Sequence, residues 1–260
     1  GSGNTIKGVT ALRPHGVWAP EFRESFGLAV QLDDPTSSIL NCSVLEPIGN
    51  YQTMIQGHTV TGCRVIGDYR TRDELGFRMG YNIGKSSDSI LSNSFAAYVT
   101  SAVYADEPLD GATIKDCDFH AVKHGLYLNA EQPTDPAPYQ RTFRRLIFRN
   151  NNVYLDNTRA GASAILLEHI SKSSPVTTQN CICDVLIEEN NFEVTPGALA
   201  GDIYAANIGS LTPRDQVTDS LGISKVSLIQ NTVDSRMKFR NARGYADVSG
   251  TVTQVIRFDV

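Results

Sequence analysis

Apolar and polar positions in this chain recur as a six-residue phrase. One copy is Ile114-Lys-Asp-Cys-Asp-Phe119. The others are Ile39-Leu-Asn-Cys-Ser-Val44, Val60-Thr-Gly-Cys-Arg-Val65, Ile90-Leu-Ser-Asn-Ser-Phe95, Phe148-Arg-Asn-Asn-Asn-Val153, Ile187-Glu-Glu-Asn-Asn-Phe192 and Leu228-Ile-Gln-Asn-Thr-Val233. The first position is large and apolar, the fourth is Cys or Asn, and the sixth is Val or Phe. This is the pattern of a corner between two short strands. The first and sixth residues point inward, and the small polar residues between them turn the chain. Asn at the fourth position can face inward if asparagines stack from one coil to the next, as they do in cross-β ladders. Cys can share that column as a small buriable group. The predicted column is Cys42, Cys63, Asn93, Cys117, Asn151, Asn190 and Asn231.

The gaps along that column are 21, 30, 24, 34, 39 and 41 residues. A leucine-rich repeat would keep a constant period, and helical repeats would show apolar residues at i, i+3, i+4 and i+7; neither is found. An uneven period suits an all-β solenoid with loops of different length pushed out from its coils. A β-sandwich of short strands is the alternative.

These corners resemble those of the right-handed parallel β-helix of the pectate-lyase-like superfamily, which includes bacteriophage tailspikes. The resemblance runs from about Ile6 to Val233. It implies a right-handed, single-stranded parallel β-helix of about eight or nine coils. The expected division is a cloning remnant at residues 1–3, an opening segment and first coil at 4–38, and the β-helix at 39–260. Around Trp18, Phe22 and Phe26 the opening segment reads as a short helix plugging the solenoid, or as the end of an earlier coil.

A second strand follows each corner: Thr53-Met-Ile-Gln56, Gly76-Phe-Arg-Met79, Ala102-Val-Tyr-Ala105, Gly125-Leu-Tyr-Leu128, Ala164-Ile-Leu-Leu167 and Asp202-Ile-Tyr-Ala205. Alternation puts Met54, Val103, Leu126, Ile165 and Ile203 inside. It puts Ile55, Arg78, Tyr104, Tyr127, Leu166 and Tyr204 outside. Polar residues come next: Asp106-Glu107, Asn129 with Glu131, Glu168-His169 and Asn207. The long loops leave from here, so they are expected to wall a groove.

Charge and cysteine content narrow the classes. The 260 residues carry a net charge of −5 with both signs mixed, which lacks the basic stripe of a nucleic-acid binder. No apolar run approaches the roughly 20 residues of a membrane helix. The five cysteines form no zinc pattern and read as buried thiols, as in a protein folded in a reducing compartment. No metal or cofactor is expected. Nucleotide fingerprints are absent, as are the residue sets of polygalacturonases, pectate lyases and mannuronan epimerases.

Two patches carry candidate chemistry. In the first, Tyr104, Tyr127 and Tyr204 would stack on sugar rings, with Glu131 and His169 as further contacts. Asp106 or Glu107 would pair with Glu168 as catalytic acids, two coils apart and so roughly 9–10 Å, at the edge of the inverting-glycosidase range of about 6.5–9.5 Å. The second patch follows the corner: Asp118 and His120 point the same way on one strand, Tyr154 lies beside His120, and Arg64 would meet a uronate carboxylate. The resemblance to tailspikes implies a virion-tail homotrimer that binds a bacterial surface polysaccharide, with hydrolysis as the expected reaction if the protein is an enzyme. A binding-only spike domain is one rival reading, and a secreted lyase acting on uronates is another.

Overall fold

The computed structural model describes residues 3–13, 17–19, 24–26, 28–32, 34–46, 53–67, 79–82, 87–105, 109–129, 142–168, 181–208 and 223–241. Among these residues the chain is all-β, with no helix. Three parallel sheets of eight strands each make up the body, the arrangement of a parallel β-helix. The chain feeds the sheets in turn. Leu109–Lys115 lies in the first, Asp118–Val122 in the second and His124–Asn129 in the third. Thr142–Arg149 then returns to the first sheet beside Leu109–Lys115, with Ile114 facing Phe148.

Inward residues stack in columns along the sheets. Ile39, Val60, Leu91, Ile114, Phe148 and Ile187 line the first, each next to its neighbour across a strand pair. Each is at most 2% exposed. The apolar surface that these columns remove from water, at about 25 cal/mol per Å², is the main force closing the solenoid.

The corner column is the expected ladder, and its hydrogen bonds run one way. The amide oxygen of Asn190 accepts from both the backbone N–H and the Nδ2 of Asn151, each at 3.0 Å. That of Asn231 does the same for Asn190, at 3.0 and 2.9 Å. Asn151 accepts from the Cys117 N–H at 3.0 Å. Each ladder residue thus supplies an acceptor to the backbone of the preceding turn. This is why Asn, Ser and Cys fill the column and purely apolar residues do not.

One rung differs from the sequence expectation. Ser94, not Asn93, occupies the ladder, where its Oγ accepts from the Cys63 N–H at 3.1 Å. Asn93 sits one residue earlier in a left-handed conformation (φ 48°), in line with Asn41, Asp116, Asn150, Glu189 and Gln230. The frame of this copy is therefore Leu91 to Ala96. Ile90 is 38% exposed, while Leu91 and Ala96 are fully buried. A slip of one residue exchanges the two faces of a strand.

The second strand also shifts near its start. Ile55 belongs to the inward column with Tyr81 and Val103, and Gln56 takes the outward place. The strand expected at 76–79 is described only as Met79–Asn82, and Arg78 lies outside the described residues. Tyr81 points inward and is fully buried. Its hydroxyl lies 2.9 and 2.8 Å from the carbonyl oxygens of Cys63 and Phe95, which share its one proton. Burial pushes its pKa well above the ordinary tyrosine value.

In the opening segment, Val17–Ala19 and Glu24–Phe26 pair as a two-stranded antiparallel ladder, so the plugging helix is not seen among the described residues. Cys42, Cys63 and Cys117 are free, buried thiols. Burial raises the pKa of Cys63 to about 11 and that of Cys117 to about 12, far from the thiolate that reacts. The side chains of Cys181 and Cys183 lie outside the described residues.

Candidate functional site

The outer face of the third sheet gathers one group of the sequence candidates. Tyr104 on Ser101–Ala105 faces Tyr127 on His124–Asn129. Tyr127 faces Leu166 on Ser163–Glu168, and Leu166 faces Asn207 on Tyr204–Ile208. The flanking Val103, Leu126 and Ile165 point into the core, so this row points away from it. Tyr104 and Leu166 stay outside the hydrophobic core cluster, yet they are only 6% and 2% exposed. The outer face is therefore largely covered, with Tyr127 half-buried.

Glu168 lies two residues beyond Leu166 on the same side of its strand. It is 5% exposed. Burying a carboxyl group is costly unless it is hydrogen-bonded, and here Tyr127 supplies the bond. The Tyr127 hydroxyl donates to Glu168 Oε2 at 2.5 Å, the short end for a hydroxyl donating to a carboxylate. The Tyr127 ring meets the Tyr104 ring edge-on, with centroids 5.2 Å apart and planes at 61°. Asn129, the strand partner of Glu168, donates from Nδ2 to the Tyr104 hydroxyl at 3.4 Å. The His124 ring lies 5.6 Å from that of Tyr127. Burial, reinforced by the charges of Lys123 and Arg159, lowers the His124 pKa to about 3. His124 is thus neutral at physiological pH and a weak base.

The structure brings together Tyr104, Tyr127 and Glu168, as the sequence suggests, but not as an open platform for sugar rings. Tyr204 does not join them. It pairs with Ser163 at the start of its strand, and its hydroxyl lies 3.5 Å from Asp202 Oδ2. Lys238 holds Asp202 at 2.5 Å and lowers its pKa. Asn207 takes the place expected for Tyr204. Asp106, Glu107, Glu131 and His169 lie outside the described residues.

His124 was not singled out by the sequence reading, and Asn129 and Asn207 appeared there only as polar residues after a strand. The available signal was that Asn129 and Glu168 follow the same Leu-x-Leu or Leu-Leu ending. That offset makes them strand neighbours.

The second patch lies on the outer face of the second sheet. His120 and Tyr154 are strand partners and their rings stack, with centroids 4.4 Å apart and planes at 26°. Phe95 stacks on the other side of His120, at 5.4 Å and 30°. The Arg64 guanidinium carbon sits 5.1 Å from the Phe95 centroid. Such cross-strand pairs stabilise a sheet. They also occupy the ring faces with one another, so a sugar would meet mainly ring edges. Asp118 accepts from Asn152 Nδ2 at 2.6 Å. Arg64 reaches Phe95, which stands between it and Asp118 in the strand register.

Among the described residues, no group of three or more His, Cys, Asp or Glu side chains is placed to hold a metal ion. No family model matches the chain, and neither the curated proteins nor the solved structures give a match.

Proposed function

We propose that the protein is a tailspike-like, right-handed parallel β-helix of eight coils that binds a bacterial surface polysaccharide and hydrolyses it. The observation that carries this reading is the Tyr127–Glu168 hydrogen bond of 2.5 Å on the outer face of the third sheet. A carboxyl group kept buried outside the apolar core, bonded to Tyr127 and beside Asn129, is not explained by packing, because burial costs it its water.

In this reading Glu168 works with Asp106 or Glu107. Ala105, the residue before Asp106, faces Leu128, and Leu128 faces Leu167, the residue before Glu168. The sequence expectation of two coils between them sets the carboxyls roughly 9–10 Å apart, at the upper edge for inversion; Asp106 and Glu107 themselves lie outside the described residues. One carboxyl gives its proton to the glycosidic oxygen as the C–O bond breaks. The other takes a proton from the attacking water. Tyr127 donates to Glu168 and leaves it an acceptor, which suits Glu168 to the base role and Asp106 or Glu107 to the acid role. Glu131 and His169 would bind further sugar hydroxyls, and the protein would act as a homotrimer in a virion tail.

Binding without turnover is the second reading. The 5% exposure of Glu168 favours it, because a hydrolytic carboxyl must reach its substrate. Calorimetric titration of capsular and O-antigen polysaccharides into the protein tests the shared claim. Binding by at least one polymer, weakened by Tyr104→Ala and Glu168→Gln, is expected. An absence of binding across the panel would sink both readings. Sedimentation of the same sample should give the mass of a trimer.

A further inference from the structure

The row that holds Tyr104, Tyr127 and Leu166 runs on through Asn207 to Arg240 on Lys238–Asn241, and at Asn207 it carries a polar atom without a partner among the described residues. Asn207 is 2% exposed, and its Oδ1 finds no hydrogen-bond partner among the described residues. An unpaired buried carbonyl is expensive, since folding strips its water and returns nothing. Leu166, in the neighbouring position, shows that the fold accepts an apolar side chain in this row. Packing alone would favour a second Leu at 207.

The position of Asn207 gives the orphan a use. It lies two strand spacings from Tyr127, roughly 9–10 Å, and the strand that bears Glu168 runs between them. Glu168 is two residues further along that strand than Leu166, about 7 Å. Asn207 and the Tyr127–Glu168 pair thus stand roughly 9–10 Å apart on the same face, the span of two adjacent sugar residues rather than one. His124, whose ring touches Tyr127, also has a buried Nδ1 without a partner. Two orphan polar atoms therefore belong to the side chains of this one face.

We infer that Asn207 is a ligand-reading residue, whose amide oxygen is left unpaired in the free protein to accept a hydrogen bond from the polysaccharide. The matching group is a donor: a ring hydroxyl or the N–H of an acetamido sugar. The inference rests on the polysaccharide reading and adds the contact that selects the sugar beside Glu168.

The test is Asn207→Leu, measured twice. In urea unfolding of the free protein, the variant should be at least as stable as wild type, because an unpaired carbonyl is replaced by an apolar side chain of similar size. In calorimetric titration with the polysaccharide that wild type binds, its affinity should fall at least tenfold. Comparing the loss on acetamido-bearing and acetamido-free members of the panel separates the two donors. Loss of stability in Asn207→Leu would mean that the carbonyl is paired within the fold, and would overturn the inference. So would unchanged affinity, even though the polysaccharide reading would then stand. If wild type binds no polysaccharide, that reading fails and the role of Asn207 fails with it.

Discussion

The hydroxyl of Tyr127 donates to the carboxyl of Glu168 at 2.5 Å, across adjacent strands of the third sheet. Forty-one residues separate them in sequence, and register alone brings them together. Tyr127→Phe removes the donor and leaves Glu168 buried without it. Stability should fall by roughly 1–3 kcal/mol. Adding Glu168→Gln should cost less than it does alone, with a coupling energy of about 1 kcal/mol or more. Urea midpoints of the two single variants and the double variant check this. Additive losses would show that the contact contributes nothing.

The ladder makes a graded prediction. Asn190 accepts two bonds from Asn151 and donates to the Phe148 carbonyl at 2.9 Å. With its further donation to Asn231 Oδ1 the Asn190 side chain makes four bonds against two for Ser94, so Asn190→Ala should cost roughly 3–5 kcal/mol. Ser94 accepts a single bond from Cys63 and donates to Ser92, so Ser94→Ala should cost about half as much. Equal losses in chemical denaturation would contradict a ladder in which each side chain supports the preceding turn.

Acid should weaken the fold through His124. Its folded pKa of about 3 lies below the ordinary value of 6.5, so between these pH values the unfolded chain binds a proton that the folded chain refuses. The stability held above pH 6.5 is then lost as pH falls toward 3, on the order of 1.4 kcal/mol per pH unit for one proton. Carboxyl groups titrate in the same range, so the measurement is a difference. Stability against pH is compared for wild type and His124→Gln, and the variant should lack this slope below pH 6.5. Parallel curves would place His124 in solvent contact.

The corner was legible in the sequence because it makes strict demands. A ladder position needs a small acceptor, and the residue before it must tolerate a left-handed backbone. Cys42, Cys63, Cys117, Asn151, Asn190 and Asn231 announce this directly. The copy at Ile90 misled because Ile90 and Leu91 are both apolar and Phe95 fits the sixth position. Only burial shows that Phe95 faces outward, where Arg64 lies over its ring. The third sheet was harder to read. Every residue of Ser101–Ala105 and of Ser163–Glu168 is buried, so both faces are covered and the alternation that fixes register is lost. This is why Tyr204 was aligned with Tyr104 and Tyr127 when Asn207 holds that place. The contact of His124 with Tyr127 depends on local backbone geometry, which no spacing rule conveys.

In the proposed function, the face around Glu168 cleaves a polysaccharide. The most direct measurement is release of new reducing ends from the capsular and O-antigen panel, with the ultraviolet absorbance of a lyase's unsaturated product followed in the same samples. Wild type should release reducing ends without that absorbance, and Glu168→Gln should lose at least a hundredfold in rate while remaining folded. Turnover that survives in Glu168→Gln would contradict the account. So would an ultraviolet-absorbing product, which would move the chemistry to a lyase and attention to Arg64, His120 and Tyr154.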